Sequence, residues 1–276
     1  MNIRERLKKS LEEDIGSGDV TSEALIPERS VSKAYFLAKE KGILCGLPFA
    51  LETLRILDPN LQAEMYFRDG EALDPGTVFC RIQGLTRAIL SGERVALNLL
   101  CHLSGIATMA HKLVELIEGT GARILDTRKT TPLWRDLEKY AVRLGGGLNH
   151  RLGLYDMVLI KDNHIKASGG IKNAIRQAKA KVRPGMLVEV EVTSVEEFKE
   201  ALEENPDWIM LDNMPASEMR RCVSLGKGRV ILEASGGINE RNIREIADSG
   251  VDFISLGALT HSVKALDISL ELEENI

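Results

Sequence analysis

Between positions 126 and 166 the chain carries eight basic residues, Arg128, Lys129, Arg135, Lys139, Arg143, Arg151, Lys161 and Lys166. Five acids, Asp126, Asp136, Glu138, Asp156 and Asp162, leave this stretch at +3, while the remainder of the protein carries −8. Arg128, Lys129, Arg151 and Lys161 stand at the ends of apolar runs, where a charge drawn out of water is costly unless it meets a counter-charge. A multiply anionic ligand suits such positions. Lys139 and Arg143 fall in a helix-period stretch and read as solvated or internally ion-paired side chains. Glu191 and Asp212 end two further runs; carboxylates there can hold Mg²⁺, bind sugar hydroxyls or stabilise positive charge developing at a sugar carbon, and a salt bridge to a nearby Lys or Arg is the plainer alternative.

Two glycine-bearing turns, Ser235-Gly236-Gly237 and Leu256-Gly257-Ala258, follow the last two apolar runs, and the first is expected to open directly into a helix. Backbone N–H groups in such turns bind phosphate, with an ordinary tight turn as the alternative. Gly145-Gly146-Gly147 reads as relaxing the loop at a helix end. Arg94 is placed at the start of a helix, where the macrodipole disfavours a cation; either Glu93 neutralises it or a role outside helix stability keeps it there. His102 and His111 read as packing or surface residues, whereas His150, next to Arg151, is a candidate binding group.

These residues must be held by the elements between them. Short runs rich in β-branched residues recur at 122–127, 155–162, 187–192, 208–213, 229–235 and 252–257. Helix-period segments separate them: VEEFKEALEEN after Ser194, ASEMRRCVSLG after Pro215, and a segment with Asn239 as N-cap and Gly250 as stop. Runs of that kind want burial on both faces, which predicts a parallel sheet built from successive βα units. Closed into a barrel, the units present their strand ends on one rim, where such folds place their chemistry. Six strands are clear and Asn149-His150-Arg151 is a possible short seventh, so an incomplete barrel is expected, with an open doubly wound sheet as the structural alternative. Residues 1–105 read as a mixed α/β domain, with helices at 3–13 and 47–57, strands around 32–44, 62–68 and 77–83, and a turn-rich segment at 15–27. The apolar stretch from Glu93 to Ile117 reads as a core or interface helix joining the two parts.

Composition narrows the classes. With 276 residues, 44% hydrophobic and 28% charged, the chain is an ordinary globular protein of one large or two smaller domains. Its net charge of −5 provides no global field for nucleic acid or an anionic membrane surface. The four cysteines, Cys45, Cys80, Cys101 and Cys222, form no C-x-x-C pair and read as reduced. The start, MNIRERLKKSLEED, is charged and amphipathic without an apolar signal core, and no run is long enough to span a membrane, so a cytoplasmic location is expected. Dinucleotide, P-loop, zincin and nucleophile-elbow motifs are absent. The residues alone therefore describe a barrel enzyme for an anionic, phosphorylated small molecule, or a non-catalytic barrel that binds such a metabolite.

The stretches EDIGSGDVTSEALIP, ERVALNLLCHLSGIAT, DTRKTTPLWRDLEKYAVRLGGGLNHRLGLYDMVLIKDNHI, VEVEVTS, IMLDNM and ILEASGGIN resemble, in order and over nearly the whole chain, the quinolinate phosphoribosyltransferases. The resemblance implies coupling of quinolinate to phosphoribosyl pyrophosphate, with release of pyrophosphate and CO₂ to give nicotinate mononucleotide in NAD synthesis. It implies a mixed α/β N-terminal domain at 1–106, an incomplete, about seven-stranded barrel at 107–262, and a segment at 263–276 returning toward the N-terminal domain. It also implies a homodimer, or a larger hexameric assembly, in which one subunit's N-terminal domain caps the other's barrel. Carried over by position, Arg128, His150 and Arg151 resemble the quinolinate-binding set, with Thr127 alongside and Arg94 reaching in from the partner subunit. Lys129 and Lys161 resemble the basic pair around the carboxylates and pyrophosphate. Glu191 and Asp212 resemble the acids near the ribose and Mg²⁺, and with the two lysines they are the expected catalytic groups. Ser235, Gly236, Gly237, Leu256, Gly257 and Ala258 match the 5′-phosphate turns. No organic cofactor is implied. Where the family usually has Pro-Gly-Leu-Arg, this chain has Pro132-Leu133-Trp134-Arg135, which bears on the backbone of that loop. The nearest rival is a paralogue associated with molybdenum transport.

Overall fold

The computed structural model describes residues 1–273 and divides the chain into two units, Met1–Met109 with the chain from Val263 on, and Ala110–Ser262. Residues 274–276 of the expected C-terminal segment lie outside the described residues. The first unit contains α1 (Ile3–Ile15), α2 (Val20–Leu25), β1 (Val31–Ala38), β2 (Gly42–Ile43), α3 (Leu47–Leu57), β3 (Gln62–Met65), β4 (Ala72–Leu73) and β5 (Val78–Leu85), and begins α4 (Thr86–Leu116). The second continues with β6 (Arg123–Leu125), α5 (Arg135–Leu144), β7 (Val158–Ile160), α6 (Asp162–Ala167), α7 (Ile171–Lys181), β8 (Val188–Val192), α8 (Val195–Glu203), β9 (Trp208–Asp212), α9 (Ala216–Gly226), β10 (Ile231–Ser235), α10 (Ile243–Ala247), β11 (Phe253–Ser255) and α11 (Ala258–His261). A last strand, β12 (Ile268–Leu272), belongs to the first unit.

In the first unit an antiparallel sheet runs in the order β12-β1-β5-β3, and its inner face packs Phe36 against Phe79, stacked at 5.9 Å. β12 pairs with β1 so that Ile268 faces Ala38 and Leu270 faces Phe36, which brings the C-terminal segment into the same core. The segment read as turn-rich contains α2, started by Asp19, whose side chain accepts the Ser22 N–H at 3.0 Å. The strand expected over 32–44 is two strands, β1 and β2, and the second pairs with β4, which periodicity did not reveal. α4 begins at Thr86, so Arg94 lies in its third turn and not at its start; the macrodipole argument for that residue does not hold.

The second unit is an all-parallel six-stranded sheet in the order β6-β11-β10-β9-β8-β7. Strand order follows chain order from β7 to β11 and then closes onto β6, which is a curled, incomplete α/β barrel. The seventh strand position is reduced to a single bridge, Leu125 with Leu148, and Asn149-His150-Arg151 is irregular backbone. Alternation explains the burial of β8: Val188, Val190 and Val192 turn to the helical layer, while Glu189 and Glu191 share the opposite face. Capping by Ser194 starts α8 as expected. The helix expected from Asn239 begins later, at Ile243 with Asn242 at the N-cap, because Asn242 Oδ1 first accepts the Asn239 N–H and closes a turn. The turn at Ser235 therefore does not open directly into a helix.

Because β12 completes the first unit's core, Ile268→Ala is expected to cost about 2–5 kcal/mol of stability, read by chemical denaturation followed by circular dichroism.

Candidate active site

A cavity of about 620 Å³ opens at the carboxyl ends of the parallel strands. Every site residue expected from the sequence except Arg94 lines it. Arg94 is exposed on α4 in the other unit and is not among the lining residues.

The basic end of the cavity is organised around Asp126, the residue after β6, which is fully buried. Its carboxylate pairs with Lys139 of α5, and it accepts bonds from the Asn149 side chain and, at 2.9 Å, from the His150 N–H. Lys139 Nζ also donates to the His150 carbonyl at 3.0 Å. The irregular stretch at 149–151 is thereby tied to the end of β6 from both sides of its backbone. Burial pushes the Asp126 carboxyl up and the Lys139 ammonium down, and in each case the partner's opposite charge opposes the shift. Lys139 is thus an internal ion pair, while Arg143 on the same helix is exposed.

Arg128 and Arg151 face the same space. Burial first, and then the neighbouring Arg128 charge, lowers Arg151, with Glu189 and Asp156 opposing. Arg151 is steadied by a bond to the Met157 carbonyl at 3.1 Å, while the buried Arg128 Nε has no partner among the described residues. Two guanidinium groups held together with an orphaned donor form a receptor for a planar anion. The His150 side chain is 7% exposed, and its Nε2 lies 3.0 and 3.2 Å from the carboxylates of two fully buried acids, Glu189 and Glu233. Burial and then the Glu233 charge raise the Glu189 carboxyl to about 7.

On the opposite wall Lys161 Nζ donates to Glu191 Oε2 at 2.6 Å, so the salt bridge considered for that carboxylate is present within the cavity. Asp212 and Ser235 are register partners on β9 and β10, which sets the second acid beside the first glycine turn. Asn213 links them: it adopts φ +53°, donates its backbone N–H to the Ser235 carbonyl at 2.9 Å, and donates Nδ2 to Asp212 Oδ2 at 2.8 Å. Gly236, at φ +83°, leaves no room for a side chain, since a Cβ there would lie 2.5 Å from the Asn213 amide. At the second turn a Cβ on Gly257 would lie 2.8 Å from Lys129 Cδ, and Thr260 Oγ1 donates to the Lys129 carbonyl at 2.7 Å. The loop that carries Leu133 in place of the family's glycine keeps a left-handed residue there, with φ +68°, at a cost of about 1–2 kcal/mol for an L side chain.

Sequence reasoning missed Glu189 and His261. Glu189 carries a signal, a second Glu two positions before Glu191 on the same face of a strand that must be buried. His261 lines the cavity from α11 and has no spacing signal.

An incomplete α/β barrel with cations, two carboxylates and glycine turns converging at its strand ends defines an enzyme class that handles multiply charged, phosphorylated small molecules. Family models for the quinolinate phosphoribosyl transferase N-terminal and C-terminal domains match residues 19–104 and 106–271. A probable nicotinate-nucleotide pyrophosphorylase [carboxylating] from Bacillus subtilis is 44% identical over 99% of this chain and 94% of its own. The nicotinate-nucleotide pyrophosphorylase [carboxylating] of Mycobacterium leprae is 42% identical over 98% and 96%. The solved nicotinate-nucleotide pyrophosphorylase of Francisella tularensis superposes with a TM-score of 0.94, at 42% identity and with 98% and 96% of the two chains covered. The chain belongs to the quinolinate phosphoribosyltransferase family.

Lys139→Met, which strands the buried Asp126, is expected to destabilise by about 3–5 kcal/mol. The exposed control Arg143→Met is expected to stay within about 0.5 kcal/mol, both measured by chemical denaturation.

Proposed function

We propose that this chain is a pentosyltransferase that transfers phosphoribosyl from phosphoribosyl pyrophosphate to quinolinate with decarboxylation, giving nicotinate mononucleotide, pyrophosphate and CO₂ in NAD biosynthesis. The observation that carries this reading is the single cavity in which Arg128, Arg151, Lys129 and Lys161 meet Glu191, Asp212 and two glycine turns, in a chain of this family. Neither the molybdenum-associated paralogue nor a non-catalytic barrel is favoured by the relatives.

Arg128 and Arg151 take the two quinolinate carboxylates, with His150 and Thr127 beside them. Guanidinium forks fix the plane of the pyridine ring and aim its nitrogen at the ribose carbon. Lys129 and Lys161 supply compact charge to the pyrophosphate and carboxylates. Substrate phosphates displace Lys161 from Glu191, and the released carboxylate stabilises the cationic ribose carbon as the C–O bond to pyrophosphate lengthens. Backbone N–H groups around Gly236, Gly237, Gly257 and Ala258 hold the 5′-phosphate, with Ser235 and Leu256 framing the two turns. The ring nitrogen forms its bond to the sugar carbon as pyrophosphate leaves with the bonding pair. The ring is then cationic, so when the carboxylate at C2 departs as CO₂ its electron pair is held next to the positive nitrogen, and a proton adds at C2. No organic cofactor is needed.

Mg²⁺ fits the carboxylates present. It commonly binds through one or two carboxylates together with substrate phosphates and keeps several waters. Glu191 Oε2 is engaged by Lys161, so Asp212, oriented by Asn213, is the residue that would hold it. When bound, the ion offsets the charge of the leaving pyrophosphate.

The assembly is a homodimer in which Arg94 completes the partner subunit's cavity. Support comes from its exposure on α4 and from its not being among the residues that line the cavity of its own chain. The reaction takes place in the cytoplasm, in keeping with four unpaired cysteines.

Purified protein given quinolinate, phosphoribosyl pyrophosphate and Mg²⁺ is expected to form nicotinate mononucleotide, detected by liquid chromatography; no product at high enzyme concentration would refute the reading. Arg128→Lys is expected to raise the quinolinate KM by about 10–100-fold, as loss of a bidentate charge-assisted contact implies. Arg94→Ala and Lys161→Ala, each inactive alone, are expected to regain activity on subunit exchange, up to about a quarter of sites in a randomly mixed dimer. No rescue despite proven exchange would sink the shared site.

A further inference from the structure

Of the eight cations between 126 and 166, Arg135 stands where the macrodipole of its own helix disfavours it. It is the first residue of α5, after Trp134 at the N-cap. Half-buried, it is not among the residues that line the cavity. What it reaches is the loops behind the binding groups. Nε donates to Thr130 Oγ1 at 2.9 Å, Nη1 to the Leu152 carbonyl at 3.0 Å and Nη2 to the Arg128 carbonyl at 3.4 Å. All three acceptors are neutral oxygens, so these bonds fix position more than they pair charge. Two of them belong to the carriers of the receptor guanidinium groups, Arg128 itself and the residue after Arg151. The Leu152 peptide is gripped on its other side as well, because Asp156 Oδ2 accepts its N–H at 2.7 Å. From Arg128 to Arg135 runs the loop that holds Leu133 at φ +68°, a conformation that an L side chain keeps only where its surroundings impose it. Within that loop the Thr131 N–H donates to Glu138 Oε2 at 3.1 Å, and the Trp134 N–H to the Thr131 carbonyl at 3.0 Å.

We propose that Arg135 is a positioning residue for quinolinate, a brace that sets the spacing between the main chains carrying Arg128 and Arg151. The planar fork suits this task, since its donors point in separate fixed directions and reach both loops at once, which the point charge of a lysine does not do. Arg128 and Arg151 repel each other, so their separation has to be imposed by the backbone. Asp126 and Lys139 fix that backbone at His150, and Arg135 with Asp156 fixes it at Leu152, which clamps Arg151 from both sides in the chain. On the other loop the same fork holds the carbonyl of Arg128. A rigid dicarboxylate that spans two guanidinium groups reads the distance between them, and a displacement of about 1 Å is enough to cost affinity and alignment. This inference rests on the quinolinate-binding roles given above to Arg128 and Arg151.

Two measurements on full-length protein test the brace. In the first, Arg135→Ala and Arg135→Lys are each expected to raise the quinolinate KM about tenfold or more, while the phosphoribosyl pyrophosphate KM stays within about twofold and kcat falls less. Arg143→Ala, at an exposed position of the same helix, is expected to stay within about twofold throughout. An unchanged quinolinate KM would overturn the proposal, and so would an equal rise in both KM values, which marks a general loosening of the site. Full activity in Arg135→Lys would overturn it too, because charge without the fork would then suffice. The second measurement needs no turnover. Hydrogen exchange of the unliganded chain, followed by mass spectrometry, is expected to be faster in Arg135→Ala at residues 128–134 and 150–156, with β8, β9 and β10 unchanged. Unaltered exchange in those two segments would show that Arg135 does not join them. Should the alanine variant not fold, Arg135→Lys carries both measurements. If the unaltered chain makes no product at all, the reaction assigned above fails, and the exchange measurement still decides whether Arg135 ties the two loops.

Discussion

Four cationic side chains share one cavity, and like charges packed together in a partly dry space repel. What makes the arrangement tolerable is a set of acids buried behind it: Asp126, Glu189 and Glu233 have no exposure, and Glu191 engages Lys161 at the rim. Each acid answers a particular cation or fixes its backbone. Asp126 neutralises Lys139 and pins residues 149 and 150; Glu189 and Glu233 lie behind His150 and Arg151. The binding edge is therefore assembled from the inside outward. The charges facing the ligand are only as well placed as the buried carboxylates beneath them.

The barrel converts that arrangement into chemistry through register. Asp212, opposite Ser235, places an acid from β9 at the level of the first glycine turn, and Glu191 of β8, opposite Met210, lies two residues lower on the same rim. Asn213 accepts a left-handed backbone to join acid and turn, and Gly236 accommodates it by having no side chain. The second turn is packed in the same way against Lys129. The basic end of the cavity and its two glycine turns are thus mechanically connected.

The sequence allowed the second unit to be read well because its strands are buried on both faces and so stand out as β-branched runs, and because their last residues must lie on one rim. The positions of Arg128, Arg151, Lys161, Glu191 and Asp212 followed from that alone; their roles came from resemblance. Other features were illegible for physical reasons. Strands β4 and β12 are short or close a sheet through distant pairing, so no local period marks them. α2 depends on one capping aspartate within a turn-like composition. Arg94 reads as a helix start because the apolar stretch begins near it, whereas the helix extends back to Thr86 through a mixed segment. Glu189 is illegible because a charged residue in a strand normally faces water, and only tertiary packing shows that this one faces into the barrel. Leu133 shows the converse, a position where a glycine-dependent conformation persists without glycine.

A crystal structure of the protein with quinolinate bound addresses the central claim most directly. The two carboxylates are expected on the guanidinium groups of Arg128 and Arg151, with the ring nitrogen facing the Glu191 and Asp212 wall. Quinolinate found outside this cavity, or bound within it with its carboxylates away from both arginines, would contradict the account.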